Sequence, residues 1–266
     1  MLKVNRIGLP IRLGVIAYLA LLILIPLGAL MARGLAGGPA QLWATITAPV
    51  AWHSLTLTLW TAGVMALINA VMGTATAWVL VRYDFPGRSF LSAVVDLPFA
   101  IPTLVTGVML VLLFGPQSAM GQWLATQGMH IAFAPAGILL ALLFISFPFV
   151  VRAVEPVLME LDPAEEEASQ TLGAGQLSTF LWVLLPPLVP AILSGTIQSF
   201  ARALGEFGSI VIVSGNIPYQ TLTAPIYLFG EIESGRPELA ASVAIVLLAI
   251  AFVLNLIVRG IHRTTK

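Results

Sequence analysis

The stretch Asp162-Pro163-Ala164-Glu165-Glu166-Glu167-Ala168-Ser169-Gln170-Thr171-Leu172-Gly173-Ala174-Gly175 interrupts a chain otherwise dominated by apolar runs, and it leads through Gln176 to Leu185 into Pro186-Pro187-Leu188-Val189-Pro190. With Glu155 and Glu160 just upstream, this region gathers six of the twelve acidic residues: Glu155, Glu160, Asp162, Glu165, Glu166 and Glu167. Asp162 can cap the free N–H groups at a helix start, and Pro163 suits the first helical position. Glu165, Glu166 and Glu167 then lie in the first turn or two, where the positive end of the helix dipole favours anions. Gly173 is placed to end the helix, since glycine accepts the left-handed conformation of a C-terminal cap. The spacing predicts a short helix, a glycine turn and a second helical piece, about Gln176 to Leu185. Such a unit buries little by itself, so keeping it ordered calls for a partner surface. Composition alone would read it as a solvated acidic loop.

Working outward, 59% hydrophobic and 9% charged residues, against roughly 25% charged in soluble domains, place the chain in a bilayer. Zero cysteine excludes a disulfide framework, a Cys-ligated zinc and a thiol nucleophile. Twelve basic residues balance twelve acidic ones, which gives no support for nucleic-acid binding. Lys3 and Lys266 are the only lysines, and no Gly-rich loop ending in Lys-Ser/Thr exists. ATP, if the work needs it, must be bound by another chain.

A membrane-spanning helix needs about 20 apolar residues, and six runs qualify as candidates. The first is Leu13 to Met31, with a cleaved signal peptide as the competing reading because small residues follow from Ala32 to Gly38. The second covers about Trp52 to Val81 and carries Ala62, Ala66, Ala70 and Thr74 at successive i+4 positions. That ladder of small residues suits close helix approach, or else marks an Ala-rich face turned to lipid. The third runs from about Phe90 to Phe114 and contains Asp96, Pro98 and Pro102; the fourth spans about Pro135 to Val151. The fifth extends from near Leu188 to about Val213, and the sixth from about Leu239 to Val258.

Counting basic residues orients the spans. With both termini cytoplasmic, Lys3, Arg6, Arg12, Arg82, Arg88, Arg152, Arg259, Arg263 and Lys266 lie inside, against Arg33 and Arg236 outside. That positive-inside bias favours six helices with both ends cytoplasmic, and it puts the loop around Asp162 in the cytoplasm.

Within that loop, Glu167-Ala168-Ser169, three residues, Gly173, nine residues, then Val183-Leu184-Leu185-Pro186 resembles the EAA loop of ABC-importer permeases. Ser169 stands where that pattern has a second Ala and Val183 where it has Ile, while every gap length fits. Three further stretches, Val95 to Thr103, Arg202-Ala203-Leu204-Gly205-Glu206-Phe207-Gly208 and Ser214 to Pro218, are similar to permeases of sulfate/thiosulfate and molybdate ABC importers. The final third, including Ile226-Tyr227 and Gly230 to Gly235, looks more like the sulfate permeases of the CysT type.

The resemblance implies an all-α membrane protein of the type I ABC importer transmembrane fold, one domain over residues 1–266 with its coupling loop at about 162–186. It implies a permease subunit of the inner membrane, itself not an enzyme, that moves sulfate or thiosulfate inward. Molybdate or tungstate is the alternative cargo. The expected partners are a second, related permease forming a heterodimer, two ATPase subunits that carry ATP and Mg, a periplasmic sulfate-binding protein and the lipid bilayer. No cofactor or metal on this chain is implied, and no nucleic acid. Glu165, Glu166, Glu167, Ala168, Ser169 and Gly173 would form the coupling contact with the ATPase. The competing class is a secondary anion transporter that needs no ATPase; the absence of an internal repeat of spans and the few intramembrane charges speak against it.

Among the remaining polar residues, Arg202 and Glu206 are four apart and are expected to share a helix face. An ionisable pair in a span marks either a pathway or a structural ion pair. Gly205 and Gly208 nearby offer flexibility or close backbone approach and are candidates for a gate. Asp96 is expected to cap or pair with Arg82 or Arg88. His53, His130 and His262 lie too far apart in the expected topology to form a site.

Overall fold

The structure, a computed structural model, describes residues 8–264; Lys3, Arg6 and Lys266 of the charge count lie outside the described residues. The described residues are helical and contain no strand. In chain order the helices are α1 (Gly8–Gly34), α2 (Gly38–Ile46), α3 (Pro49–Arg82), α4 (Arg88–Ala100), α5 (Thr103–Phe114), α6 (Ala119–Thr126) and α7 (Pro135–Glu160). They continue with α8 (Pro163–Thr171), α9 (Gln176–Thr179), a π-helical segment (Phe180–Leu184), α10 (Leu185–Leu204), α11 (Gly208–Val213), α12 (Ala224–Glu233) and α13 (Pro237–Thr264).

Among the described residues, five helices are long and apolar enough to cross a membrane: α1, α3, α7, the continuous rod from α9 through α10, and α13. The third apolar run, expected as one span, is instead a bent pair. Between α4 and α5 the axis turns by 110°. Pro102 lacks an N–H and pushes the residue before it out of the helical region, and Ile101 is extended (φ −82°, ψ 125°). Pro102 then serves as the N-cap residue of α5. Six spans result when the bent pair is counted as one.

The centre of the bundle is the crossing of α3, α7 and α10. A Cβ on Gly73 would fall 2.8 Å from Val150 Cβ, and one on Gly195 would fall 2.8 Å from Val150 Cα. Val150 of α7 is therefore held between two glycines on neighbouring helices, an approach that small residues allow. Ala62, Ala66 and Thr74 of the small-residue ladder are buried, and the first two pack with Met65, Ile138, Leu142 and Leu204. The ladder thus faces protein rather than lipid. A second apolar cluster toward the α8 end contains Leu80, Val95, Val151, Val154, Leu158, Leu184 and Leu188.

Several helix hydroxyls return their protons to the backbone: Thr58 Oγ1 donates to the Ser54 carbonyl at 2.7 Å and accepts from the Ala224 N–H at 2.8 Å. That second bond ties the start of α12 to α3. At the same end, Val243 of α13 packs with Ala51 and Leu55 of α3. Gly34, closing α1, lies against Ala241 and Ile245, so α1 and α13 run antiparallel. The beginning of α1 and the end of α13 therefore both point toward the end that carries α8. Otherwise α1 stands apart, with none of its apolar window buried.

Placing a large side chain at the crossing tests this packing. Gly195→Leu is expected to destabilise the protein by about 1–3 kcal/mol or more, read as a lowered melting temperature in detergent. Gly205→Ala, where a Cβ meets nothing within 4 Å, should melt within error of the parent.

Candidate functional site

The loop closing α7 folds as the sequence spacing predicts. Asp162 accepts a hydrogen bond from the Ala164 N–H at 3.0 Å, Pro163 opens α8, and Glu165 and Glu166 lie in the first turn. The helix ends in a paired capping pattern: the Gly173 N–H donates to the Gln170 carbonyl at 2.9 Å and the Ala174 N–H to the Ser169 carbonyl at 3.1 Å. Gly173 has φ +90°, the left-handed value this cap requires.

The predicted residues divide into two sets. Glu165, Glu167, Ala168 and Gly173 are exposed, whereas Glu166 and Ser169 are half-buried and turned toward the bundle. Glu166 Oε1 lies 2.5 Å from Arg82 Nε, with each side chain 15% exposed. Arg82 Nη2 also donates to the Leu161 carbonyl at 3.1 Å. The Ser169 hydroxyl meets the buried Thr179 hydroxyl at 3.1 Å. Two polar clamps thus fix α8 to the end of α3 and to α9, although α8 itself has no buried residue. Between them lies a cavity of about 260 Å³ lined by Trp78, Arg82, Glu166, Gln170 and Thr179, among others.

Sequence reasoning missed three participants here. Arg82, one of the inside charges, is the partner of Glu166. Leu172 stands 90% exposed just before the glycine turn; an isolated leucine in so polar a segment was the available signal. Arg152 is the third. Asp96 does not pair with Arg82 or Arg88: its carboxylate receives Arg152 Nε at 2.7 Å and Nη2 at 2.6 Å, a two-pronged contact between α4 and α7. Arg152 Nη2 also reaches the Ser92 carbonyl at 3.0 Å, and Nη1 pairs with Glu155. Arg82 is already engaged by Glu166, and Arg88 by Asp84 at 2.8 Å.

The helix that follows the glycine turn does lead back toward the membrane; it passes through Pro186-Pro187 and continues unbroken to Leu204, beyond the expected end near Leu185. Prolines inside a helix remove N–H donors and crowd the carbonyls one turn back. Here the turn just upstream widens: the Leu185 N–H bonds to the Phe180 carbonyl, five residues earlier. That π-turn gives the prolines room without breaking the rod. Phe180 within it packs against Trp78 of α3 with the rings tilted by 44° and their centroids 5.1 Å apart.

At the far end of the rod, Arg202 and Glu206 do form an ion pair, Nη1 to Oε2 at 2.9 Å, but not along one helix face. The helix ends at Leu204, and Glu206 lies in the Gly205-Glu206-Phe207 break before α11. Its Oε1 accepts from the Ser209 N–H and the Ser209 hydroxyl, both at 3.0 Å. That bonding competes with continuation of α10 and starts a new helix instead. Glu206 is 2% exposed while the Arg202 side chain keeps 36%. Gly208 is a close-approach residue: an added Cβ would fall 2.2 Å from Thr103 Oγ1 at the start of α5. Gly205 has open space around it.

Arg82→Ala should strand the Glu166 carboxylate against the bundle at a cost of about 1–3 kcal/mol. The expected result is faster proteolysis within residues 161–176 in limited-digestion time courses, with the rest of the chain unaffected.

Residues 69–266 match the family described as the binding-protein-dependent transport system inner membrane component. A probable sulfate transport system permease protein cysT from Nephroselmis olivacea is 43% identical over 249 residues, covering 94% of this chain and 88% of its own. The sulfate transport system permease protein CysT of Escherichia coli (strain K12) is 40% identical over 248 residues, covering 93% of this chain and 90% of its own. A chain in the crystal structure of a bacterial alginate ABC transporter, in complex with an alginate pentasaccharide-bound periplasmic protein, superposes with a TM-score of 0.80 at 18% identity. That superposition covers 98% of this chain and 95% of that one and is a likeness of fold.

Proposed function

The chain belongs to the family of binding-protein-dependent transport system inner membrane components, and from that membership we propose that it is the permease subunit of an ATP-driven importer of sulfate and thiosulfate. The observation that carries the cargo is the similarity to sulfate permeases at 40–43% identity over more than nine-tenths of this chain. The fold agrees with the transport role, since it matches an ABC-importer permease along almost its full length. Molybdate or tungstate is the second reading for the cargo, because these anions share the tetrahedral oxyanion shape. A secondary transporter would leave the ordered α8 loop without a task.

In this reading both termini and α8 lie on the cytoplasmic side, as the basic residues favour. The chain pairs with a related permease. Two ATPase subunits bind ATP and Mg beneath the pair, and a periplasmic binding protein delivers the anion from above. The exposed set Glu165, Glu167, Ala168, Leu172 and Gly173 meets the ATPase, with Leu172 as the apolar contact. Glu166 and Ser169 pass the motion inward through Arg82 and Thr179. Because α8 is clamped to α3 through Arg82 and to α9, which runs through the π-turn into α10, displacing it moves both helices together. Such a rigid-body shift can exchange inward-facing and outward-facing packings. Arg202, Glu206, Gly205 and Gly208 then belong to the path or its gate at the other end of the rod.

Co-expression with the ATPase and tandem purification provide the test. The ATPase should co-purify with the permease, and labelled sulfate uptake should require ATP. Gly173→Val, which forces a β-branched residue into the left-handed region at about 1–2 kcal/mol, should lower both co-purification and uptake at least severalfold. Glu167→Ala should lower uptake with less effect on assembly. An ATPase that never co-purifies, together with full uptake by both variants, would refute the importer reading. Competition by molybdate stronger than by unlabelled sulfate would instead move the cargo to the second reading.

A further inference from the structure

The Arg202 guanidinium is half used. Its pairing with Glu206 occupies Nη1, and among the described residues no other hydrogen bond or ion pair reaches it. Arg202 follows Ala191, Gly195 and Ser199 at helical spacing on α10, and those three are buried on the face turned to α7. Arg202 continues that face but keeps 36% of its side chain accessible, so this chain does not seal the guanidinium. A guanidinium in an apolar span with unmet N–H donors is costly unless something else meets them. Planar paired N–H groups match the oxygens of a tetrahedral oxyanion better than a point charge does.

Glu206 looks at first like an obstacle, a carboxylate beside the route of a dianion. Its bonding removes much of that objection. Oε1 is held by the Ser209 N–H and hydroxyl at 3.0 Å each, and Oε2 by Arg202. The carboxylate is 2% exposed and both of its oxygens are engaged. We propose that Arg202 is the contact residue for the oxyanion in transit and that Glu206 is its resting counter-ion, fixing one edge of the guanidinium and leaving the other for the cargo. A standing counter-charge also keeps the contact weak, and a transport site must release what it binds. The inference rests on the oxyanion-importer reading above.

The assembled transporter in proteoliposomes, supplied with binding protein loaded with labelled sulfate, tests it through the amount of sulfate moved per ATP hydrolysed. Arg202→Lys keeps the charge opposite Glu206 but loses the planar fork, and it should lower sulfate per ATP about tenfold or more. Glu206→Gln keeps acceptors for the Ser209 donors but removes the counter-charge. It should retain severalfold more labelled sulfate on the purified transporter once the binding protein is washed away. A merely structural pair would show otherwise: Arg202→Lys with the parental ratio, or transport and ATPase falling in proportion, would overturn the inference. So would Glu206→Gln with parental retention. A parental complex that hydrolyses ATP but moves no sulfate would overturn the cargo reading and this inference together, whereas failure confined to the variants' expected effects leaves the importer reading standing.

Discussion

A bilayer interior offers no hydrogen-bond partner to a free backbone N–H or carbonyl, and this constraint shapes every irregularity of the bundle. Each departure from a straight helix is local and is met by protein groups. At the α4–α5 bend the Ile101 N–H closes on the Leu97 carbonyl and the Pro102 carbonyl takes the Thr106 N–H. After α10 the Glu206 carboxylate supplies the acceptor that the interrupted ladder no longer gives Ser209. Before Pro186-Pro187 the ladder widens by one residue rather than opening. The prolines and glycines that read as punctuation in the sequence therefore act as re-aiming points along the helices. The breaks between α4 and α5 and between α10 and α11 also meet one another: Gly208 lies against Thr103.

What was legible in the sequence follows from how local its cause was. The α8 loop could be read residue by residue because capping chemistry depends on neighbours two to five positions away: Asp162 on Ala164, Gly173 on Gln170, Ala174 on Ser169. Apolar run lengths located the spans for the same reason. The pairings of the charged residues were not legible. Asp96 meets Arg152, 56 positions away, and Arg82 meets Glu166, 84 positions away; proximity in sequence favoured Arg82 and Arg88 for Asp96, and helix packing decided otherwise. The pairing of Arg202 with Glu206 was foreseen from spacing, but its geometry was not. An uninterrupted helix was assumed where a carboxylate begins a new one.

The same contrast separates the two clusters of ionisable groups. Around Arg82, Glu166, Arg152 and Asp96 the charges hold elements together at the margin of the bundle, where side chains can reach water. At Arg202 and Glu206 the ions sit at a break within an apolar run, and among the described residues they form a single pair rather than a network.

The loop around α8 divides its labour in a way that has an evolutionary side. Its inward hold is polar and specific, through Glu166 and Ser169, while its outward face of Glu165, Glu167, Ala168 and Leu172 makes no fold-defining contact. Substitutions on the outer face leave the hold undisturbed, so that exposed surface can vary without re-solving the packing of the spans. The hold, by contrast, tolerates change only in compensating pairs.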